Sequence, residues 1–452
     1  MSQPRRGRPK ARPDPARKAA HDLLLAISQR DAYANLVLPE LLRSRGITGR
    51  DAALATELGY GTARTRGLLD AVLARCVDRE LSTVDADLLE ALRLGAYQLL
   101  RTRIPPHAAV ASTVDLVRAS RGGGPAGFVN AVLRKVAGRD EAAWIAELAP
   151  DGSADLIGHL AFVHAHPRWI AQAFADALGG TAELAEALAA DNAAPAVHLA
   201  ARPGVITREE LAAATGGDPA PYSPYGVHLA GGDPGELDAI TEHLATVQDE
   251  GSQLVALAVA GAPLDGRDGG RWLDLCAGPG GKAALLGALV GLDGGTLDAV
   301  ERAEHRANLV RRACVDLPVR VHVADGRHSG LPPGSFDRVL VDVPCTGLGA
   351  LRRRPEARWR RSQDDLAGLT ELQGQLLSAA LRLVRPGGVV GYVTCSPHPA
   401  ETTAVVRAAG VEQLDARPLL PGVPALGDGP HAQLWPHRHG TDAMFCAILR
   451  RS

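Results

Sequence analysis

From about Glu236 onward, short apolar runs of strand length alternate with helix-length amphipathic runs. The succession is WLDLCAG, GKAALLGALVG, TLDAVE, EHRANLVRRA, VRVHVADG, FDRVLVDV, ELQGQLLSAALRLV and GGVVGYVTCS. Sustained alternation of this kind predicts an α/β domain with a mostly parallel, doubly wound sheet. In such sheets ligands bind beyond the carboxyl ends of the strands, at the point where the strand order reverses. The chemistry of residues 236–452 is therefore expected just after each strand.

The rest of the chain reads differently. Residues 17–149 carry helical periodicity throughout, with Leu23, Leu24 and Ile27 opening one apolar face and Leu68, Leu69, Val72 and Leu73 continuing another. Helices are predicted over Asp87–Leu100, His107–Ala119 and Phe128–Val136, with the run RGGG as a break before the last. This part is an all-α bundle. Residues 150–235 begin helically and then show short alternations, Val197-His198-Leu199 and Val227-His228-Leu229, between Gly- and Pro-rich loops, which predicts a small α+β linker domain. Residues 1–16 contain four prolines and no apolar periodicity and are expected to form a disordered basic tail.

Composition narrows the class. With 452 residues, 46% apolar and 22% charged, the chain can bury large cores and is not disordered as a whole. Residues 1–18 hold seven basic residues and one Asp, so the net charge of -2 divides into +6 at the N-terminus and -8 elsewhere. Only four of the 49 basic residues are lysines. Six cysteines are scattered singly with no CxxC pair, which argues against a zinc site and a disulfide scaffold and for a reducing compartment. No apolar run is long enough to span a bilayer, and the basic N-terminus has no hydrophobic segment after it to make a secretory signal. A cytoplasmic monomer without metal or membrane attachment is expected.

The segment Asp274–Lys282, DLCAGPGGK, places glycines between a strand and a helix. Glycines there let a ligand approach the backbone, and the helix start offers free N–H groups. The spacing is not the GxGxxG of dinucleotide sites, and an acid precedes it, which argues for a nucleoside carrying a sulfonium and an amino-acid tail. Glu301, about 20 positions later, ends the next strand and suits ribose hydroxyls; Asp325 follows the third strand and suits an adenine amino group; Asp342 ends the fourth. Cys345, in Pro344-Cys345-Thr346-Gly347, and Cys395, in Thr394-Cys395-Ser396, both follow strands and lie on the ligand edge. Two thiols there suit methylation at cytosine C5. That carbon is too weak a nucleophile until a thiolate adds to C6, whereas N- or O-methylation needs no thiol.

These motifs carry a resemblance. LRLGAYQLL, IPPHAAVASTVDLVR and FVNAVLRKV are similar to the NusB family of transcription antitermination, a helical RNA-binding bundle. DLCAGPGGK, DVPCTGLG and VTCS resemble motifs I, IV and VI of the RNA cytosine-C5 methyltransferases, whose domain is Rossmann-like, and VQDEGSQLVA resembles that family's lead-in. From about residue 17 the whole chain resembles the RsmB (Sun) type of 16S ribosomal RNA methyltransferase. The resemblance implies S-adenosylmethionine as cofactor, bound by Cys276, Ala277, Gly278, Pro279, Gly280, Gly281, Lys282, Glu301, Asp325 and Asp342. It implies Cys395 as the nucleophile and Cys345 as the thiol that helps release product, with RNA, above all 16S rRNA, as substrate. Val343 and Thr346 stand where the family has Ala and Ser, and Thr402 follows Glu401 where Asn is common.

Two other classes remain open from the residues alone: a non-catalytic RNA-binding assembly or antitermination factor, and a nicotinamide oxidoreductase. The intact thiols speak against the first and the absence of GxGxxG against the second. Another RNA, such as tRNA, is an alternative substrate. Arg101, Arg103, Arg118, Arg121, Arg134 and Lys135 are candidate phosphate contacts. The run LRRRPEARWRR at 351–361, with six Arg and one Trp beside the Cys345 loop, is expected to bind RNA backbone and stack on a base, in preference to being a solvated helix start.

Overall fold

The structure is a computed structural model, and it describes residues 13–232 and 234–452. The expected basic tail falls mostly outside these residues. The first helix starts at Pro15, inside the expected tail, because Asp14 accepts a hydrogen bond from Arg17 N at 2.9 Å and proline is tolerated in a helix's first turn.

The chain forms two compact units, one running to Ala175 and including Arg353–Arg360, the other made of Asp176–Arg352 and Arg361–Ser452. The first unit is helical. Its main elements are α1 (Pro15–Arg30), α2 (Ala34–Ser44), α3 (Gly49–Cys76), α4 (Ala86–Arg101), α5 (Pro106–Arg121) and α6 (Gly123–Val136). Leu23, Leu58, Leu69, Leu73, Leu92, Leu94, Val129 and Leu133 belong to one continuous core. The expected break at RGGG is a single residue, Gly122, whose φ of 84° ends α5 and starts α6. Four of the candidate phosphate contacts are held in ion pairs: Arg101 with Glu141, Arg118 with Asp115, Arg121 with Asp85 and Asp87, and Lys135 with Asp78.

The basic run after Cys345 is not the solvated helix start that the alternative reading describes, because much of residues 353–360 packs into the helical unit, with Arg354 left exposed. Arg358 is 0% exposed and donates to Ala165 O at 3.1 Å. Trp359 Nε1 donates to Ala63 O at 2.9 Å, and Glu356 accepts from Ala34 N at 3.3 Å. Arg360 donates to Ile27 O and Ala32 O, carbonyls at the end of α1 that lack helical partners. Guanidinium groups can be buried when their N–H groups meet carbonyls, which charge counting along a sequence does not reveal.

The second unit contains two sheets. Strands β1 (Val197–Ala201), β2 (Asp218–Pro219), β3 (Gly226–Leu229) and β4 (Ala245–Val247) make an antiparallel sheet in the order β2-β3-β1-β4. The two alternations read from the sequence pair here, with His198 opposite His228. The larger sheet is built from β5 (Arg271–Asp274), β6 (Thr296–Glu301), β7 (Val319–Val323), β8 (Phe336–Asp342), β9 (Val384–Thr394), β10 (Glu412–Leu414), β11 (Ala432–Gln433) and β12 (Phe445–Arg450). Its order is β10-β12-β9-β8-β5-β6-β7, with β5 to β9 parallel and β12 antiparallel to β9. Separate apolar clusters cover its faces, one including the helices Glu250–Gly261 and Gly281–Leu292, the other the helices Asp365–Leu383 and Thr403–Ala409. The order reverses between β5 and β8, so the carboxyl ends of β5, β6, β8 and β9 surround the ligand position of a doubly wound sheet. Among the described residues no helix is long and apolar enough to cross a membrane.

If Trp359 is a packing residue, Trp359→Ala destabilises the protein by about 3 kcal/mol, the scale of losing a packed aromatic side chain. Urea unfolding followed by circular dichroism reads this. Unchanged stability together with weakened RNA binding would restore the stacking role.

Candidate active site

The turn after β5 closes tightly. Gly280 has φ +118°, and a Cβ there would lie 2.8 Å from Ala313 Cβ, so only glycine starts the helix Gly281–Leu292 without strain. Glu301, at the end of β6, reaches back to this turn. One of its oxygens accepts from Ala303 N at 2.9 Å, and the other lies 3.3 Å from Arg306 Nε. Arg306 also donates to Gly278 O at 2.6 Å, which ties the acid to the glycine turn. The sequence reading missed Arg306, which sits on the helix Glu304–Ala313 with nothing but its charge to mark it.

Asp342, at the end of β8, accepts from Lys282 Nζ at 2.7 Å. Burial works against the lysine's charge, but Asp342 outweighs it, aided by Cys395 and Asp274, and the ammonium is held above its usual range. Asp274, 1% exposed at the end of β5, has its carboxyl pushed up to about 7 by burial and by the charge of Asp342. Cys276 is pushed well above the usual thiol range by burial and by the same acids. Asp325 lies just past β7 and is gripped by Arg327 at 2.7 and 3.0 Å, which lowers its carboxyl to about 2.

The two expected thiols meet. Cys345 Sγ and Cys395 Sγ are 3.4 Å apart, and both residues are partly exposed. Cys345 is pushed well above the usual thiol range by the contact with Cys395, by burial and by the charge of Glu401. Cys314 and Cys446 are buried, each thiol raised to about 12 mainly by burial. Thr346 and Ser396 belong to the cysteine motifs, whereas Gln373 and Glu401, which also shape the edge, were not singled out as site residues in the sequence.

A glycine turn, three acids and a lysine beside paired thiols form a cleft suited to a cationic nucleoside ligand and an electrophilic base. Comparison with known proteins agrees on the class. The family description 16S rRNA methyltransferase RsmB/F matches residues 262–450, and the NusB family matches residues 14–138. The chain is 34% identical to the ribosomal RNA small subunit methyltransferase B of Pseudomonas syringae pv. tomato, over 96% of each chain. The chain belongs to the RsmB family of methyltransferases. It is also 61% identical, over 99% of each chain, to a Mycobacterium tuberculosis protein that carries only a provisional methyltransferase name. The solved structure of PH0851 has the same fold, with a TM-score of 0.80 over 98% of this chain and 100% of that one, at 22% identity. The family accounts for a helical NusB-like part followed by a Rossmann-like methyltransferase part in one chain.

Asp274 yields a pH prediction. Its folded carboxyl is raised above its usual range, so the folded state holds a proton that the unfolded state has lost. The stability from that proton is complete below about pH 4 and is lost as pH rises through about 7. Asn does not titrate. In the ligand-free protein, the Tm of Asp274→Asn relative to wild type therefore rises between acid and mildly alkaline buffer, as read by calorimetry. A relative Tm that falls over that range contradicts the assignment.

Proposed function

We propose that this protein transfers a methyl group from S-adenosylmethionine to C5 of a cytosine in RNA, with 16S ribosomal RNA as substrate. The observation that carries the reading is the pair of thiols 3.4 Å apart at the carboxyl ends of neighbouring strands. The names of the curated relatives supply the ribosomal substrate. When bound, the cofactor supplies an electrophilic methyl group.

The residues present fit that cofactor. The turn Cys276–Lys282 offers backbone N–H groups at a helix start, Glu301 is placed to accept from ribose hydroxyls, and Asp325 suits the adenine amino group. Asp342, Asp274 and Glu301 give the cleft the negative charge that a sulfonium and an ammonium require.

The chain's own residues then act on the base. Cys395, as thiolate, adds to C6, and the C5–C6 electron pair becomes available at C5, which takes the methyl group. Lys282, held by Asp342 at this strand edge, brings a positive charge to it. Loss of the C5 proton to solvent water returns its electron pair to the ring, re-forms the double bond and expels Cys395 as a thiolate. Cys345, kept as a thiol by the contact with Cys395, by burial and by the charge of Glu401, stands beside the leaving sulfur and can give it a proton. The base must leave its stack to reach either sulfur, so cytosines in loops are the preferred targets. Residues 17–149 are assigned to RNA binding, 150–235 to a linker domain and 236–452 to catalysis.

The thiols should fail differently. On a denaturing gel with labelled RNA and S-adenosylmethionine, Cys345→Ala should trap RNA covalently and Cys395→Ala should not. The reverse pattern swaps the roles, and no adduct with either variant contradicts the mechanism. For the cofactor, Glu301→Ala should weaken S-adenosylmethionine binding by about 1–3 kcal/mol, the range for losing charge-assisted hydrogen bonds. Unchanged affinity in calorimetry removes Glu301 from the ribose.

A further inference from the structure

One buried carboxylate near the thiols does more than raise the Cys345 thiol. Glu401 ends the short turn Pro399–Glu401 and is 0% exposed. No ion pair is recorded for it among the described residues, yet its side chain is fully engaged. One oxygen accepts from Thr346 N at 2.8 Å and from Gln373 Nε2 at 3.0 Å. The other accepts from Ser396 Oγ at 2.6 Å and from the Thr346 hydroxyl. Gln373 donates as well to Pro344 O at 2.9 Å, and Tyr392 from β9 fixes the backbone carbonyl of Glu401 at 2.7 Å.

Three of the four donors come from the two cysteine loops, and Gln373 comes from the helix Asp365–Leu383. Pro344 and Thr346 flank Cys345, and Ser396 follows Cys395. A carboxylate has two acceptor oxygens and no donor, which is what converging N–H and O–H groups require. Thr346 keeps the hydroxyl that serine supplies at this position in the family, so the departure from the common motif leaves this contact intact. A charge buried without a cation is tolerated where hydrogen bonds satisfy it, and here they span the gap between the two cysteine loops.

We propose that Glu401 is a positioning residue that clamps the Cys345 and Cys395 loops together and sets the contact between their sulfurs. On the cytosine-C5 reading, on which this consequence rests, the clamp lets attack and release act on one base without rearrangement. Gln keeps the clamp: its carbonyl can face Thr346 N and Gln373 while its amide donates to the two hydroxyls. Ala removes the shared acceptor, so Thr346 N loses its partner and the two hydroxyls keep only each other, while Gln373 retains Pro344 O.

The test reads the sulfur contact directly. Diamide converts two neighbouring thiols to a disulfide as it takes up their two hydrogens and becomes the hydrazine. Peptide mapping of the full-length protein should show a Cys345–Cys395 bond forming readily in wild type and in Glu401→Gln. In Glu401→Ala it should form at least about tenfold more slowly, the scale of losing buried hydrogen bonds. If Glu401→Ala does not fold, the pair Thr346→Val with Ser396→Ala removes both hydroxyl arms and should slow closure in the same direction. Closure at the wild-type rate in a folded variant overturns the clamp. The denaturing gel then separates the two ideas. Slow closure in Glu401→Ala with trapped RNA adduct in Cys345→Ala supports both, whereas slow closure in Glu401→Ala with no adduct in either Cys345→Ala or Cys395→Ala supports the clamp and overturns the cytosine-C5 reading.

Discussion

Two thiols fifty residues apart meet because β8 and β9 are parallel neighbours in register. Asp342 pairs with Val393, so the chain leaves both strands at the same height, and the residues that follow, Cys345 and Cys395, emerge side by side. The rest of the site depends on that placement. β5 sits on the other side of β8, so the glycine turn and Lys282 arrive at the same edge, and Lys282 joins the end of β8 through Asp342. A sheet with these strands in another order would hold the same motifs and bring none of them together.

Much of this was readable in the chain. The strands and helices of the α/β part announce themselves by alternation, and the rule that ligands lie beyond parallel strands identified the edge where Lys282, Glu301, Asp342 and both thiols are found. The helices of the N-terminal bundle follow from period and capping; α4 runs Ala86–Arg101 where Asp87–Leu100 was expected. What sequence reasoning did not supply was side-chain pairing across loops. Glu401, Gln373 and Ser396 act through hydrogen bonds between segments whose proximity is set by strand order, and no local pattern encodes that. The run at 351–361 misled for a different reason. Six arginines suggest a wet, phosphate-facing surface, whereas two of them, Arg358 and Arg360, spend donors on backbone carbonyls inside the helical unit.

The charges around the sulfurs give the site its direction. Asp274, Glu301 and Asp342 make an acidic cleft relieved by Lys282 and Arg306, a setting for a cationic ligand. Within it the contact with Cys395, burial and the charge of Glu401 all oppose a negative sulfur at Cys345.

The central claim is that the methyl group goes to C5 of a cytosine, which obliges that carbon to give up its hydrogen. RNA transcribed with tritium at cytosine C5, incubated with the protein and S-adenosylmethionine, tests this most directly. Release of tritium to water in step with methyl incorporation, one for one, is the predicted result. Methyl incorporation with all tritium retained in the RNA would contradict the account, because it would place the methyl group on another atom.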